Sequence, residues 1–251
     1  MKLVIAIVAL AGCDSVFGVT YKPKPCAVPG FDGAPMTVVA QSPNPGVGAV
    51  AFSVSWDETL AVVDFDGTRY EMALPNGTPV PIDLGIYPAA RYSLAPEGDA
   101  LLYSAAEEPP LLQSARRTGA AAWSLGGSVP LGAYAGTPSA ADFGPPRVLV
   151  RLRDAHPDVQ EYEHDGTHWV AVGTTHPVDG WFAPNLTPDG LTMSYDDGAG
   201  MTLAATRTTV GDWFGPPAPT SSGGHAQPQL LDECHHLYTV DTDGVVRRYD
   251  R

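Results

Sequence analysis

The sequence predicts an all-β fold, and three observations carry the prediction. Strand-like runs such as AVVDF (61–65), RVLVRL (147–152) and LYTVD (237–241) recur along the chain. Turn-formers punctuate them, with 27 Gly and 25 Pro among 251 residues. No segment sustains the apolar period of an amphipathic helix. At 44% hydrophobic residues, the chain can fill one sizeable core or a ring of small ones.

Internal similarity organises these strands. The clearest unit, FAPNLTPDGLTMSYDDGAGMTLAATRTTVGDWFGPPAP (182–219), reads as strand, Pro-Asp-Gly turn, strand, turn, strand and an aromatic-Gly-Pro ending. Its opening recurs as ARYSLAPEGDALLYSA (90–105). Weaker copies are AQPQLLDECHHLYTVD (226–241), GTPSAADFGPPRVLVRL (136–152) and VAFSVSWDETLAVVDF (50–65). Aligned on the apolar residue before each turn, Val54, Leu94, Ala140, Leu186 and Leu230 follow one another at spacings of 40, 46, 46 and 44. A period of about 40–50 residues belongs to the four-stranded blades of a propeller.

Four units close on a Gly/Pro phrase, NGTPVP (76–81), GGSVPL (126–131), GTTHPV (173–178) and FGPPAP (214–219). The last stops at Arg251 after three strands, and its missing phrase stands at the other end of the chain as FDGAP (31–35). The prediction is therefore a single five-bladed β-propeller. Its blades fall at about 47–83, 88–132, 136–178, 182–220 and 226–251 plus 31–40, with the ring closed three plus one by the N-terminal strand. Six blades would need one unrecognised repeat.

Residues 1–12, MKLVIAIVALAG, give one Lys and an apolar run too short to span a bilayer, the pattern of an export signal peptide. LAGC, Leu10 to Cys13, resembles the bacterial lipobox, whose cysteine is acylated and becomes the first residue after cleavage. This predicts lipidation of Cys13, a tether over 13–30 and a lipid-anchored place in a bacterial cell envelope, with Asp14 leaving inner and outer membrane both open. Cys26 and Cys234 remain, and outside the cytosol two cysteines permit one disulfide. In a four-stranded meander, Cys234 in the first turn and Cys26 before the fourth strand share a face. Three strand spacings, roughly 14 Å at ~4.7 Å each, separate those strands, a gap that residues 26–30 can cover.

LTPDGLTMSY followed by ATRTTVGDWFGPP resembles the TolB-type β-propeller repeat of bacterial exported proteins, and LAPEGDALLYS is a second match. The resemblance covers residues 31–251 and is motif-specific in blades two and four. Blades one, three and five carry WDE, DFG and DEC in place of the Pro-Asp-Gly turn. It implies the propeller fold and a habit of protein–protein contact, but no chemistry.

The formal charge of −14, from 28 acids against 14 Lys and Arg, argues against nucleic acid as a partner. Loops between second and third strands all fall on the face opposite Cys234. Each offers two acids: Asp64 and Asp66, Glu107 and Glu108, Asp154 and Asp158, Asp196 and Asp197, Asp241 and Asp243. They form a candidate acidic face for a cationic envelope protein, although Asp also suits β-turns by bonding its own backbone. DFDG and DTDG begin like a calcium loop but lack its later carboxylate, so no cofactor is expected and calcium is the weak alternative. His164 and His168 flank a hairpin turn and read as polar surface.

No Gly-x-Ser-x-Gly motif occurs, and no Ser or free Cys stands beside a His with an orienting acid, so no catalytic residue is assigned. Trp123, Trp169, Trp181, Trp213 and Phe214 lie near repeat ends and are expected to pack between blades. The reading is a monomeric, envelope-anchored lipoprotein whose propeller is a protein-interaction or scaffold module. The alternative is a ligand-binding or hydrolytic propeller acting on glycan or peptide through its channel. The first strands that would line that channel are chiefly small, apolar or amide, with only Arg91 and Asn185 standing out.

Overall fold

The computed structural model describes residues 26–27, 30–85, 92–95, 98–104, 112–128, 140–141, 147–151, 158–165, 168–177, 182–223 and 226–251. Among the described residues, twenty strands form five antiparallel four-stranded sheets, and the fold is a five-bladed β-propeller. Blade one holds β2 (Ala49–Val54), β3 (Leu60–Phe65), β4 (Thr68–Ala73) and β5 (Val80–Ile82). Blade two holds β6 (Tyr92–Leu94), β7 (Ala100–Ser104), β8 (Leu112–Gly119) and β9 (Ala122–Ser128). Blade three holds β10 (Ala140–Ala141), β11 (Arg147–Arg151), β12 (Asp158–His164) and β13 (Trp169–Pro177). Blade four holds β14 (Phe182–Leu186), β15 (Thr192–Asp196), β16 (Thr202–Thr206) and β17 (Ala218–Ser221). Blade five takes β18 (Ala226–Leu231), β19 (His236–Val240) and β20 (Val246–Asp250) from the C-terminus and β1 (Met36–Ala40) from the other end of the chain.

The five anchors of the repeat occupy one structural position. Val54 pairs with Ala61, Leu94 with Leu101, Ala140 with Val148, Leu186 with Met193 and Leu230 with Leu237. The turn behind the anchor is built alike in blades one and four. Ser55 and Thr187 each donate a hydroxyl to the Asp two residues on, both at 2.6 Å, and accept the amides of Leu60 and Thr192. Gly190 closes the turn in blade four with φ 67°, and in blade one Glu58 takes that place at φ 55°. WDE therefore makes the same turn as PDG, with a carboxylate where the glycine stood. DEC in blade five forms a short 3-10 turn, Asp232–Cys234, with Glu233 and Cys234 both at positive φ. The DFG segment lies outside the described residues.

The core is divided among the seams. Strand β3 is buried on both faces, and the seam it shares with blade five joins Val54, Val63 and Met72 to Leu231, Tyr238 and Val240. Across the blade one–two seam, Val62 and Leu84 meet Leu94 and Leu101. Leu149 and Val159 meet Met193 and Tyr195 between blades three and four. Burying one such side chain is worth about 1.5–3 kcal/mol, so stability depends on the seams remaining shut.

Amide side chains lace the inner strands at the closing seam. Gln229 accepts from the Val54 amide at 3.0 Å and donates to the Val54 carbonyl at 2.7 Å, while Gln227 does the same for Phe52 and Val50 at 3.3 and 2.6 Å. These glutamines replace the backbone ladder that separate blades cannot make. Gly48 and Gly244 meet just below: a Cβ on Gly244 would lie 2.3 Å from the Gly48 Cα.

Candidate protein-interaction surface

Antiparallel meandering puts the first-to-second and third-to-fourth turns on one face of the ring, here the upper face, which holds Cys234. The second-to-third loops lie on the lower face. Of the ten acids expected there, Glu107, Glu108 and Asp154 lie outside the described residues. The remaining seven divide by burial.

Asp64 and Asp196 do not belong to an exposed face. The Asp64 side chain is fully buried, accepting the Tyr92 hydroxyl at 3.0 Å and the Gly67 amide at 2.6 Å, with Arg69 at 3.5 Å. Burial, and then the adjacent Asp64 charge, push the Tyr92 phenol above its ordinary value. Asp196 is buried beneath the blade four–five seam, accepting from the Gly198 and Gln227 amides. Each sits at a strand end, where a short carboxylate caps free amides of the next turn more readily than it reaches water.

The other five lie at the lower rim. Asp66 is exposed in a two-residue turn, and Asp158 is half-buried at the start of β12. Asp197 accepts from the Ala199 and Met201 amides at 2.8 and 2.9 Å. Arg247 bridges Asp241 at 2.6 Å and Asp243 at 2.5 Å. Its hydrogen bonds lower the exposed Asp243 carboxyl to about 2, so the group stays ionised at neutral pH. Asp241 also accepts the Tyr249 hydroxyl at 2.8 Å. The DTDG carboxylates are thus engaged with a guanidinium and a phenol. Among the described residues, no group of three or more His, Cys, Asp or Glu is placed to hold a metal ion.

Two ionic features escaped the sequence reading. At the blade three–four seam, Arg207, with a fully buried side chain, grips Glu161 with both terminal nitrogens at 2.7 and 2.9 Å. It also donates to the Gly190 and Asp212 carbonyls and lies 4.5 Å over the Phe214 ring. Arg147 adds a contact to Glu161 at 3.1 Å and another to Glu163. The same pair recurs between blades one and two, where Glu71 accepts from Arg117 at 2.6 and 3.1 Å and from Trp123 Nε1 at 2.8 Å. Both pairs join residues 46 apart, one blade period. A search for opposite charges at that spacing finds them.

The second feature lies on the upper face of the blade five–one seam. Nδ1 of His236 stands 2.7 and 2.9 Å from the two carboxylate oxygens of Glu58, and Tyr238 donates its hydroxyl to the same group at 2.5 Å. Asp250 approaches the other ring nitrogen at 3.5 Å, and Arg248 lies 3.7 Å from Glu58. Burial, and then the Glu58 hydrogen bond, raise the Tyr238 phenol.

Cys26 and Cys234 form the expected disulfide, with Cα atoms 6.0 Å apart. Cys13 and the whole 1–12 segment lie outside the described residues. Of the channel residues, Asn185 donates to the Pro228 carbonyl at 2.9 Å, and Arg91 is not among those described. Trp123, Trp169, Trp213 and Phe214 pack against the inter-blade clusters, while Trp181 is not among the described residues.

No family model matches this sequence, and no curated protein is similar to it. Solved structures do match the fold. TolB from Acinetobacter baumannii superposes with a TM-score of 0.50 at 12% identity, over 87% of this chain and 55% of its own. A TolB from Agrobacterium tumefaciens gives 0.52 at 16% identity, over 86% of this chain and 84% of its own. The structural neighbours include TolB-type β-propellers. AofleA from Arthrobotrys oligospora matches at 0.50 and 12% identity, over 83% of this chain and 71% of its own. The likeness is one of fold, and this chain spans about half the length of the Acinetobacter TolB.

Proposed function

We propose that this protein is a bacterial envelope lipoprotein, anchored by acyl chains on Cys13, whose propeller serves as a protein-interaction module. The observation that carries the reading is the Cys26–Cys234 disulfide. Such bonds persist outside the cytosol, where a chain bearing the LAGC motif is sent. The likeness to TolB-type propellers supports a module that works by contact. The tether enters on the upper face at Cys26, which leaves the lower face for a partner. Asp66, Asp158, Asp197 and Asp243 give that face its negative charge, matching a cationic envelope protein.

Labelling cells with radioactive palmitate tests the anchor. The wild type takes up label and sediments with membranes, whereas Cys13→Ser does neither, and label retained by the variant overturns the anchor. Capture from envelope extract tests the face. Bound protein should fall with added salt and with Asp66→Asn, Asp197→Asn and Asp243→Asn combined; capture unchanged by both rules out electrostatic docking.

A further inference from the structure

Residues 30–35, just before β1, are fastened at several points to blades four and five. Phe31, 1% exposed, fills a pocket of Ala204, Leu230, Cys234 and Leu237. Its amide donates to the Thr220 carbonyl at 2.6 Å, and Asp32 accepts the Ser222 amide at 2.9 Å. Strand β1 then pairs with β20 alone, along a ladder interrupted by a bulge, and Met36 and Val38 stand more than half exposed. By backbone contacts, this strand is a weakly held edge of the ring.

The disulfide changes where a pull on the N-terminal side is felt. Cys234 sits in the turn between β18 and β19, and both strands are buried along nearly their whole length. Strand β19 is bonded on both sides, to β18 and β20. The Cys26 sulfur also lies 3.2 Å from the Thr192 hydroxyl of blade four, so the bond sits at the root of the seam that Phe31 fills.

We propose that the Cys26–Cys234 bond is a mechanical bypass: tension arriving along the tether enters the buried β18–β19 hairpin and leaves the closing strand β1 without load. The idea draws its physiological meaning from the lipid anchor proposed above, because an anchored module bound to a partner is pulled at that end. Without the bond, the same tension reaches Phe31 and then the β1–β20 ladder, and the ring opens where it is held least. With it, the chain between the two cysteines, which stand 208 positions apart, is shielded from extension. That is about 700 Å of contour at ~3.4 Å per residue.

Stretching single molecules tests this. The full chain is held through peptide tags at its two ends and pulled with and without reductant, after mass spectrometry has confirmed the bond in the oxidised sample. The reduced protein should show an early, low-force step of about 50 Å, the contour of residues 26–40, before the main unfolding event. In the oxidised protein only residues 234–251 of the fold remain under load, about 60 Å of contour, and because their release pulls β20 from the buried β19 it should need higher force, with the total extension shorter by about 700 Å. An early step of the same size and force in the oxidised protein overturns the bypass, as does a reduced protein without it. Reduction during the pull avoids dependence on a cysteine variant that fails to fold. Because tags replace the acyl chains, failure of the palmitate experiment leaves this outcome untouched, and the two readings fail separately.

Discussion

Replacing Arg207 by Met removes the charge from the blade three–four seam while keeping an unbranched chain over the Phe214 ring. The wild-type guanidinium makes two bonds to Glu161 and one each to the Gly190 and Asp212 carbonyls, from a side chain with no exposure. Removing one partner of such a buried pair costs about 3–5 kcal/mol, chiefly because the other charge stays desolvated. Arg147 remains 3.1 Å from Glu161 and keeps it partly compensated, which places the loss near ~3 kcal/mol. Urea unfolding followed by tryptophan fluorescence reads this as a lower midpoint at unchanged slope. Trp213, in edge contact with Phe214, reports from the seam itself. The double variant Arg207→Met, Glu161→Gln should recover much of the loss, since no unpaired charge is left. A loss below about 1 kcal/mol for Arg207→Met, the value of an exposed pair, refutes the account of this seam.

The same pair sets a pH dependence. Burial alone raises the Glu161 carboxyl, but Arg207, and then Arg147, outweigh it and hold the group below the ordinary glutamate value. A lowered folded value means stability fully present above the unfolded value, near ~4.3, and lost as pH falls through the folded one. Wild type should therefore lose stability below that pH more steeply than Glu161→Gln, and parallel curves contradict this.

Arg117→Met at the blade one–two seam should cost only about 1 kcal/mol by the same urea assay, because the Arg117 side chain is 32% exposed and solvent screens the pair. Gln229→Ala leaves the Val54 amide and carbonyl without their side-chain partner, for a loss of about 2 kcal/mol and faster hydrogen exchange at Val54, measured by mass spectrometry. Reducing Cys26–Cys234 should lower the urea-derived stability by up to about 5 kcal/mol, the chain-entropy limit for a loop closed across 208 residues; no change in midpoint would show that the bond does not constrain the unfolded chain.

The fold was legible because apolar anchors and turn residues repeat, and repetition survives divergence at single sites. Ala140 illustrates this: its blade has lost the Pro-Asp-Gly turn, yet it still pairs with Val148 as Val54 does with Ala61. The closing phrase was legible for the same reason, since Phe31 and Phe214 are both buried just before an outermost strand. The start of β1 was read too early, because FDGAP is the seam plug and the strand begins at Met36. The acidic face was overread at Asp64 and Asp196. A sequence gives the loop in which an acid lies, but whether its carboxylate turns out to solvent or in to cap amides depends on one torsion at a strand end. The Glu58 cluster was hidden because its members come from residues 58, 236, 238, 248 and 250, joined only when the ring closes.

Taken together, the polar seams give each joint between nearly equivalent blades its own chemistry. At one position on each third strand stand Glu71, Ser114, Glu161, Ala204 and Arg248, and three residues later stand Leu74, Arg117, His164, Arg207 and Arg251. Glutamate meets the next blade's arginine at the one–two and three–four seams. At the four–five seam Ala204 gives room for Phe31, and Arg251 donates instead to the Gly30 carbonyl at 2.9 Å. At the five–one seam the charges are reversed, with Arg248 on the third strand and Glu58 supplied by the turn of the following blade. A blade slid out of register would leave Glu161 buried without its arginine, at about the cost of a broken buried pair, and would separate the more exposed Glu71–Arg117 pair at a smaller cost. Chain connectivity sets the order of the blades, and apolar seams alone would tolerate sliding of one blade along the next, so the charged residues fix the register at each joint.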